Sequence, residues 1–345
     1  MTQGQKTLYY DILDSHVLAD DIQALLRKYK EDNRDLIRLG GTKEEKIENL
    51  FEAIENNIIE LSEVQGLLKD AEEYGDQYIY FYKPVDGVNP DQYHDGDKIA
   101  NAILPQNIRK DFPKIIQMPS KREWVDFRAP NRGVKNSWMF KLYDRKTREV
   151  KENEARDVSG RRVVTYVTKE DRLVYIALWD GEDELSLKIS RTSFDSTKSL
   201  RSSRIELEQM MARGIHIRKD FKFFDLTDTI NKILINSEDN KNNYILLSAK
   251  LKDTHNGYAT ISSHGEDETD LLSDVSRKEA INAYINGNGK ASSLVVQFLA
   301  EGSNGELSKD IKVVLGKHTM NEIIISSKIS PQEYKYVRRK IAEFS

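Results

Sequence analysis

Gln77-Tyr78-Ile79-Tyr80-Phe81-Tyr82 is the stretch on which the reading of this chain turns. Five aromatic or β-branched residues in a row have strand composition, and Pro84, Gly87 and Pro90 follow as loop punctuation. Everything before Gln77 is patterned for helices. A domain boundary is therefore expected near residue 84.

Upstream, Asp20 to Tyr29 sets Ile22, Leu25 and Leu26 on one helical face. A Ser or Thr followed three residues later by Glu or Gln satisfies two orphan backbone donors at a helix start, and five such boxes occur. Thr42 with Glu45 opens a helix carrying Ile47, Leu50, Phe51 and Ile54, and Ser62 with Gln65 opens one that closes at Gly75. Ser203 with Glu206, Ser276 with Glu279, and Ser330 with Pro331 and Glu333 open three more. About four helices are thus expected in the first 76 residues.

Downstream, Ser137 to Tyr143 alternates Trp138, Phe140 and Leu142 with Met139, Lys141 and Tyr143. Strands are expected at Val163 to Val167, Leu173 to Trp179 and Leu185 to Ile189, joined by turns at Lys169-Glu170-Asp171 and Asp180-Gly181. Four further strands are read at Tyr244 to Leu251, Leu294 to Leu299, Ile311 to Leu315 and Ile323 to Ser326. The fold class is α+β, with an N-terminal helical bundle followed by a mainly antiparallel strand-rich region carrying a few helices. The expected domains are 1–84, 85–224 and 225–345.

The 345 residues include no cysteine, which removes disulfide scaffolds, thiolate metal sites and cysteine nucleophiles from consideration. No run approaches the roughly 20 apolar residues that span a bilayer, and the start lacks a leader-like pattern. No membrane partner is expected. A cytoplasmic location follows, nuclear in a eukaryote. Low Pro and abundant Asn, Asp, Ile and Lys fit a bacterial chain.

The net charge of −4 conceals an uneven spread. Residues 1–82 hold 9 Lys/Arg against 18 Asp/Glu, whereas residues 83–224 hold 29 against 22. A basic middle suggests an anionic partner. Between Lys121 and Arg162 there are 13 cations against 7 acids, interleaved with Trp124, Phe127, Trp138, Phe140 and Tyr143. Cations at this density neutralise phosphates, and exposed aromatics stack on bases. The candidate nucleic-acid-binding residues are Lys121, Arg122, Arg128, Arg132, Lys135, Lys141, Arg145, Lys146, Arg148, Arg161 and Arg162. A second group, Arg201 and Arg204 with Arg191 and Lys198, is read as a Ser/Thr-rich loop entering a helix N-terminus. The alternative is that the aromatics are core and the cations cover the other face.

Catalytic motifs are sparse. There is no GxSxG, HExxH or strand-borne GxGxxG, and Gly287-Asn288-Gly289-Lys290 follows a helix with Tyr284 where a phosphate loop needs glycine. It reads as a helix stop and turn. His94 with Asp95 and Asp97, and His264 with Glu266 and Asp267, are read as polar turns rather than ligand sets. A magnesium nuclease would place an acidic-x-Lys pair on a strand with a carboxylate upstream. Glu149-Val150-Lys151 with Asp126 is the best candidate, beside Asp220-Phe221-Lys222 and Asp310-Ile311-Lys312. Such triplets occur about as often as chance gives. No cofactor or metal is called for.

Leu36-Ile37-Arg38-Leu39-Gly40-Gly41-Thr42-Lys43, followed by Ile47 and Leu50, resembles the second half of a SAP motif, a small helical DNA-binding element. The layout of the first two thirds is similar to that of the centromere protein N family. It shares a helical bundle to Gly75, a helix near Lys98 to Arg109, the Trp138 to Tyr143 strand, the Leu173 to Trp179 hairpin and the helix after Ser203. That resemblance implies a death-fold-like helical domain ahead of a strand-rich domain that binds a partner subunit and DNA. The expected function is a non-catalytic nucleic-acid- and protein-binding subunit of a larger complex. The basic middle would contact nucleic acid backbone, and the acidic helical domain a protein partner. A bacterial DNA-associated or phage-defence system is the expected setting. The alternatives are a metal-dependent nuclease and a purely structural assembly subunit.

Overall fold

The structure, a computed structural model, describes residues 3–105, 107–114, 117–156, 161–191, 197–263 and 269–345. Four helices come first: α1 Gln3–His16, α2 Ala19–Tyr29, α3 Lys43–Glu55 and α4 Leu61–Glu73. They close around Ile12, Leu13, Ile22, Leu26, Ile47, Leu50 and Leu68. Thr42 and Glu45 cap α3 reciprocally, as their spacing requires. The SAP-like run serves this core: Ile37 is buried, and Asn49 holds the backbone of Leu36 and Arg38 on either side of it.

Three of the expected caps are displaced. The helix read from Ser62 is capped two residues earlier, at Glu60, whose N–H donates to the Glu63 carboxylate at 3.4 Å. The one read from Ser276 is capped by Asp274, whose side chain accepts from the Arg277 N–H at 2.9 Å. Ser203 lies well inside its helix, with its hydroxyl taking a hydrogen bond from Tyr175 at 3.2 Å. Asp and Glu make equivalent hydrogen bonds at a helix start, so a Ser nearby is not decisive. Ser330 and Glu333 do form the last box, with Pro331 in the first turn.

The strands are β1 Gly75–Pro84, β2 Glu123–Arg128, β3 Trp138–Arg156, β4 Arg162–Trp179, β5 Leu185–Ser190, β6 Phe221–Phe223, β7 Tyr244–Lys252, β8 Tyr258–Ser262, β9 Lys290–Phe298, β10 Ile311–Leu315 and β11 Glu322–Lys328. Among the described residues they form one antiparallel sheet ordered β2-β3-β4-β5-β1-β11-β10-β9-β7-β8, with β6 paired to β1. Strands from all three expected segments, 1–84, 85–224 and 225–345, belong to this one sheet. Strand β1 is bonded to β5 on one side and to β11 on the other.

The pleat explains why the Tyr-Ile-Tyr-Phe-Tyr run is apolar at every position. Tyr78, Tyr80 and Tyr82 enter one core, while Ile79 and Phe81 enter another on the opposite face. The first core is covered by α5 Gly96–Ile103, α6 Thr197–Met211 and α7 Ile217–Asp220. The second is covered by α8 Thr227–Ile235, α9 Val275–Asn286 and α10 Pro331–Ala342. At the start of β1, Gly75 has φ +73°, and a Cβ there would stand 2.3 Å from the Ser327 carbonyl oxygen.

The triplet Lys169-Glu170-Asp171 is not a turn. It pairs with Arg148, Thr147 and Lys146 inside one continuous β4. Strand β2 ends its pairing at Tyr143, and β5 reaches no farther along β4 than Tyr175. Beyond these points β3 and β4 run on alone as a two-stranded arm, about 40 Å long at roughly 3.3 Å per residue. Both faces of such a ribbon meet water, so polar residues sit in it as readily as in a turn. That is why composition misplaced the triplet.

Candidate nucleic-acid interface

The strand alternation that sets Trp138, Phe140 and Leu142 into the first core sets Lys141 and Tyr143 on the other face, against the C-terminal turn of α4. Lys141 is 1% exposed and lies 3.1 Å from Glu72 and 2.9 Å from Glu73. Arg172 on β4 also binds Glu72, and the Tyr143 hydroxyl donates to it at 2.6 Å. Glu73 further receives Arg128, and Arg132 at 2.8 Å. Arg132 reaches Asp70 as well, at 2.6 Å. Burial alone would raise the Glu73 carboxyl, but Lys141, Arg128 and Arg132 outweigh it and hold that group well below the usual range. Arg128, Arg132, Lys141 and Arg172 of the basic middle are thus answered by acids of the helical bundle in the same chain.

The remaining sequence candidates divide in the same way. Arg122 is held by Asp144 and Glu206, each at 2.5 Å, and lies over the Tyr175 ring. On the arm, Arg145 pairs with Glu170, and Arg162 with Glu154 at 2.5 Å. Arg161 is exposed, as are Lys121 and Lys135 ahead of the arm. Lys146 is partly exposed on β3, and Arg148 is placed by its backbone pairing to Lys169. Arg128 ends β2, and Arg145, Lys146 and Arg148 are strand residues of the arm.

The structure brings Arg201 and Arg204 together with residues that were not singled out for binding. Both project from α6 into a groove of about 550 Å³ walled by Tyr82, Arg218, Lys222 and Phe223. The Arg204 guanidinium lies between two rings, 5.1 Å from Tyr80 and 5.0 Å from Phe223. Among the described residues its buried Nε and Nη1 have no hydrogen-bond partner, and Nε stands 3.6 Å from the Glu208 carboxylate. Glu208 also accepts from Arg218 at 2.9 Å and from the Tyr82 hydroxyl at 3.0 Å. Phe223 is 53% exposed at the groove mouth, and Lys222 pairs with the outlying Asp86 at 2.8 Å. Beyond Arg201 and Arg204 a smaller recess of about 250 Å³ continues to His318 and Thr319. The chain matches no family model and no curated protein sequence.

The groove follows from local sequence. Helix α6 spans Thr197–Met211 and puts Arg201, Arg204 and Glu208 on successive turns of one face. The run Arg218-Lys219-Asp220-Phe221-Lys222-Phe223 supplies the facing wall. Its interleaved cations and aromatics are the signal that the sequence offers. The Ser/Thr-rich approach to α6 lies partly at 192–196, outside the described residues.

The other catalytic candidates are dispersed. Asp126 is buried opposite Lys141, and Glu149 is eight residues farther along β3, about 26 Å away at 3.3 Å per residue. Asp220 accepts from Tyr93 at 3.0 Å, while Asp310 ties the Gln297 side chain and the Ala300 N–H. Asp95 caps α5, Asp97 pairs with Arg109 at 2.5 Å, and His94 meets Asn136 at 3.3 Å. His264, Glu266 and Asp267 lie outside the described residues. Gly287 to Gly289 is the stop of α9 ahead of β9, as read. Among the described residues no group of three His, Asp or Glu has the arrangement of a metal site, and no helix is long and apolar enough to cross a membrane.

Proposed function

We propose that this chain is a non-catalytic nucleic-acid- and protein-binding subunit of a larger complex, and that it grips the nucleic acid backbone through the α6–β6 groove. The observation that carries the reading is Arg204, fixed between Tyr80 and Phe223, whose Nε and Nη1 make no hydrogen bond among the described residues. A buried guanidinium with unmade hydrogen bonds is costly, and a phosphate oxygen is the acceptor that suits it best. Arg201, Arg218 and Lys222 surround it, and exposed Phe223 offers a face on which a base can stack. This arrangement favours a single strand or a splayed end over an intact duplex, whose bases are not available for stacking.

The test is fluorescence anisotropy with labelled single- and double-stranded 20-mers over a range of salt. Backbone contact predicts affinity that falls steeply with salt. Replacing Arg201, Arg204, Arg218 and Lys222 together by Gln is expected to lower the slope of log affinity against log salt by about two to three, at roughly 0.7 per single-strand phosphate contact. Equal slope and affinity in mutant and parent would discard the groove. No binding by the parent would favour the purely structural subunit, and magnesium-dependent shortening of the probe would favour the nuclease.

A further inference from the structure

The groove does not end at Arg204. The recess of about 250 Å³ behind it is lined by Tyr80 of β1, by Leu200, Arg201 and Arg204 of α6, and by His318 and Thr319 of the turn between β10 and β11. It is smaller and more enclosed than the groove, with room for one small group rather than a whole metabolite. Tyr80 and Tyr82 enter the same core from β1, two residues or about 7 Å apart, so the recess lies one step along the strand from the groove.

The recess wall is held in place from behind. Asn321 donates to the Phe81 carbonyl at 3.0 Å and accepts from the Thr319 hydroxyl at 2.9 Å, which anchors the turn on β1. The Glu322 carboxylate, 0% exposed, accepts from the His318 backbone N–H at 3.0 Å and lies 2.8 Å from His318 Nδ1. A carboxylate takes the Nδ1–H, so Nε2 is the nitrogen left for a further partner, and it donates when the ring is protonated.

Charge in the recess is one-sided. Among the described residues no Asp or Glu lines it, whereas Arg201 and Arg204 both do, and Arg201 is exposed with no ion pair among those residues. Glu208, which answers Arg204 and Arg218, stands on the groove side. Burial first, then Glu322, hold the Tyr80 phenol well above its usual pKa, so it stays protonated and adds no negative charge. The Thr319 hydroxyl hydrogen is already given to Asn321. Two guanidinium groups and an imidazole are thus what an entering group meets.

We infer that the recess takes the terminal phosphate of the strand held in the groove, with Arg201, Arg204 and His318 around a phosphomonoester. The inference rests on the groove reading and names an end of the strand as the feature recognised. An internal diester carries a single negative charge and needs chain both entering and leaving, which a small enclosed recess does not accommodate. A terminal monoester carries about −1.5 to −2 at pH 7, needs chain on one side only, and requires no proton of its own to satisfy these donors.

The test is fluorescence anisotropy at fixed salt with single strands of one sequence, labelled on an internal base and carrying a 5′-phosphate, a 3′-phosphate or hydroxyls at both ends. One of the two phosphorylated strands is expected to bind about ten-fold tighter than the hydroxyl-ended strand, and which one does so gives the polarity of the strand in the groove. His318→Gln should cut that ratio to below about three-fold. Arg201→Gln, at an exposed position, should cut it likewise, which keeps the test decisive if His318→Gln fails to fold because Glu322 loses its partner. Equal affinity for phosphate- and hydroxyl-ended strands would overturn the assignment and leave the groove standing. So would a ratio undiminished in either folded variant, since the extra charge would then be felt elsewhere on the surface. Binding of no strand at all would remove the groove and this assignment with it.

Discussion

Lys141 of β3 and Glu73 of α4 meet at 2.9 Å, with 1% and 4% of their side chains exposed. This contact is the centre of a buried charged layer joining the helical bundle to the sheet, with Glu72, Arg128, Arg132 and Arg172 around it. Two adjacent acids at the end of one helix thus meet four cations from β2, β3, β4 and the β2–β3 connection. Each supplies the charge that lets the other leave water.

Glu73→Gln should therefore destabilise the chain by about 3–5 kcal/mol, because it leaves the buried Lys141 and the half-buried Arg128 with one carboxylate fewer. Urea unfolding measures this. A loss below about 1 kcal/mol would mean that water or Glu72 replaces the missing charge.

The same layer sets acid sensitivity. Glu73 and Glu72 both have pKa values below the ordinary carboxylate range: burial opposes ionisation, but Lys141 and Arg172 with their neighbours outweigh it. A depressed carboxyl contributes stability that is present above the unfolded value of about 4.3 and lost as pH falls toward the folded one. Melting temperature should drop steeply below about pH 4.5, and the drop should be shallower in Glu73→Gln.

Lys188 acts in the opposite range. It is 2% exposed, and burial lowers its pKa to about 7 although Glu73 opposes the shift. Its ammonium group sits 4.1 Å from the Tyr334 ring centre and 3.2 Å from the Glu73 carbonyl. Between about pH 7 and the unfolded value near 10.4 the unfolded chain binds the extra proton, so stability rises with pH over that window. Lys188→Met should flatten the slope of stability between pH 7 and 9.5. An unchanged slope would show that Lys188 keeps its charge through the cation–π contact.

Phe223→Ala tests stacking apart from charge. It should weaken single-strand binding by about 1–3 kcal/mol, up to roughly a hundred-fold, while leaving the salt slope unchanged. By contrast, Arg128→Gln with Arg132→Gln should lower stability by about 1–3 kcal/mol and leave nucleic-acid affinity unaltered. Anisotropy and urea melts on the same preparations separate the two.

The arm can be removed. Joining Thr147 to Glu170 through Asn-Gly keeps the register of β3 and β4 and deletes 148–169, where neither strand has another neighbour in the sheet. The melting temperature should change by less than about 3 °C, since an isolated two-stranded ribbon adds little stability. A larger loss would mean that the arm packs elsewhere on the molecule.

Local sequence specified the elements well where a single face is apolar and a cap is unambiguous. Thr42 and Ser330 mark helix starts, and the Trp138 to Tyr143 alternation gives both faces of β3 correctly. It was misleading where polarity has two explanations. Lys169-Glu170-Asp171 is polar because the arm is solvated on both faces, and Lys141 is a cation because acids of α4 await it inside. A one-dimensional count of basic residues does not distinguish a cation facing solvent from one facing Glu72. The Arg201, Arg204, Arg218 and Lys222 groove joins two segments that become neighbours only when β6 pairs with β1, so no spacing rule could have announced it.

The central place of β1 also bears on how the molecule is made. Its flanking partners are β5, roughly a hundred residues later, and β11, whose approach is pinned by Asn321 donating to the Phe81 carbonyl across 240 positions. During synthesis this central strand must therefore wait, uncovered on one edge, until nearly the whole sequence has left the ribosome. Such high contact order slows folding and exposes a template for mispairing. The helical bundle, whose contacts are local, can form first, and its α4 acids can engage β3 and β4 long before β11 arrives. Early docking through those charges would hold the growing sheet in order while its middle remains open.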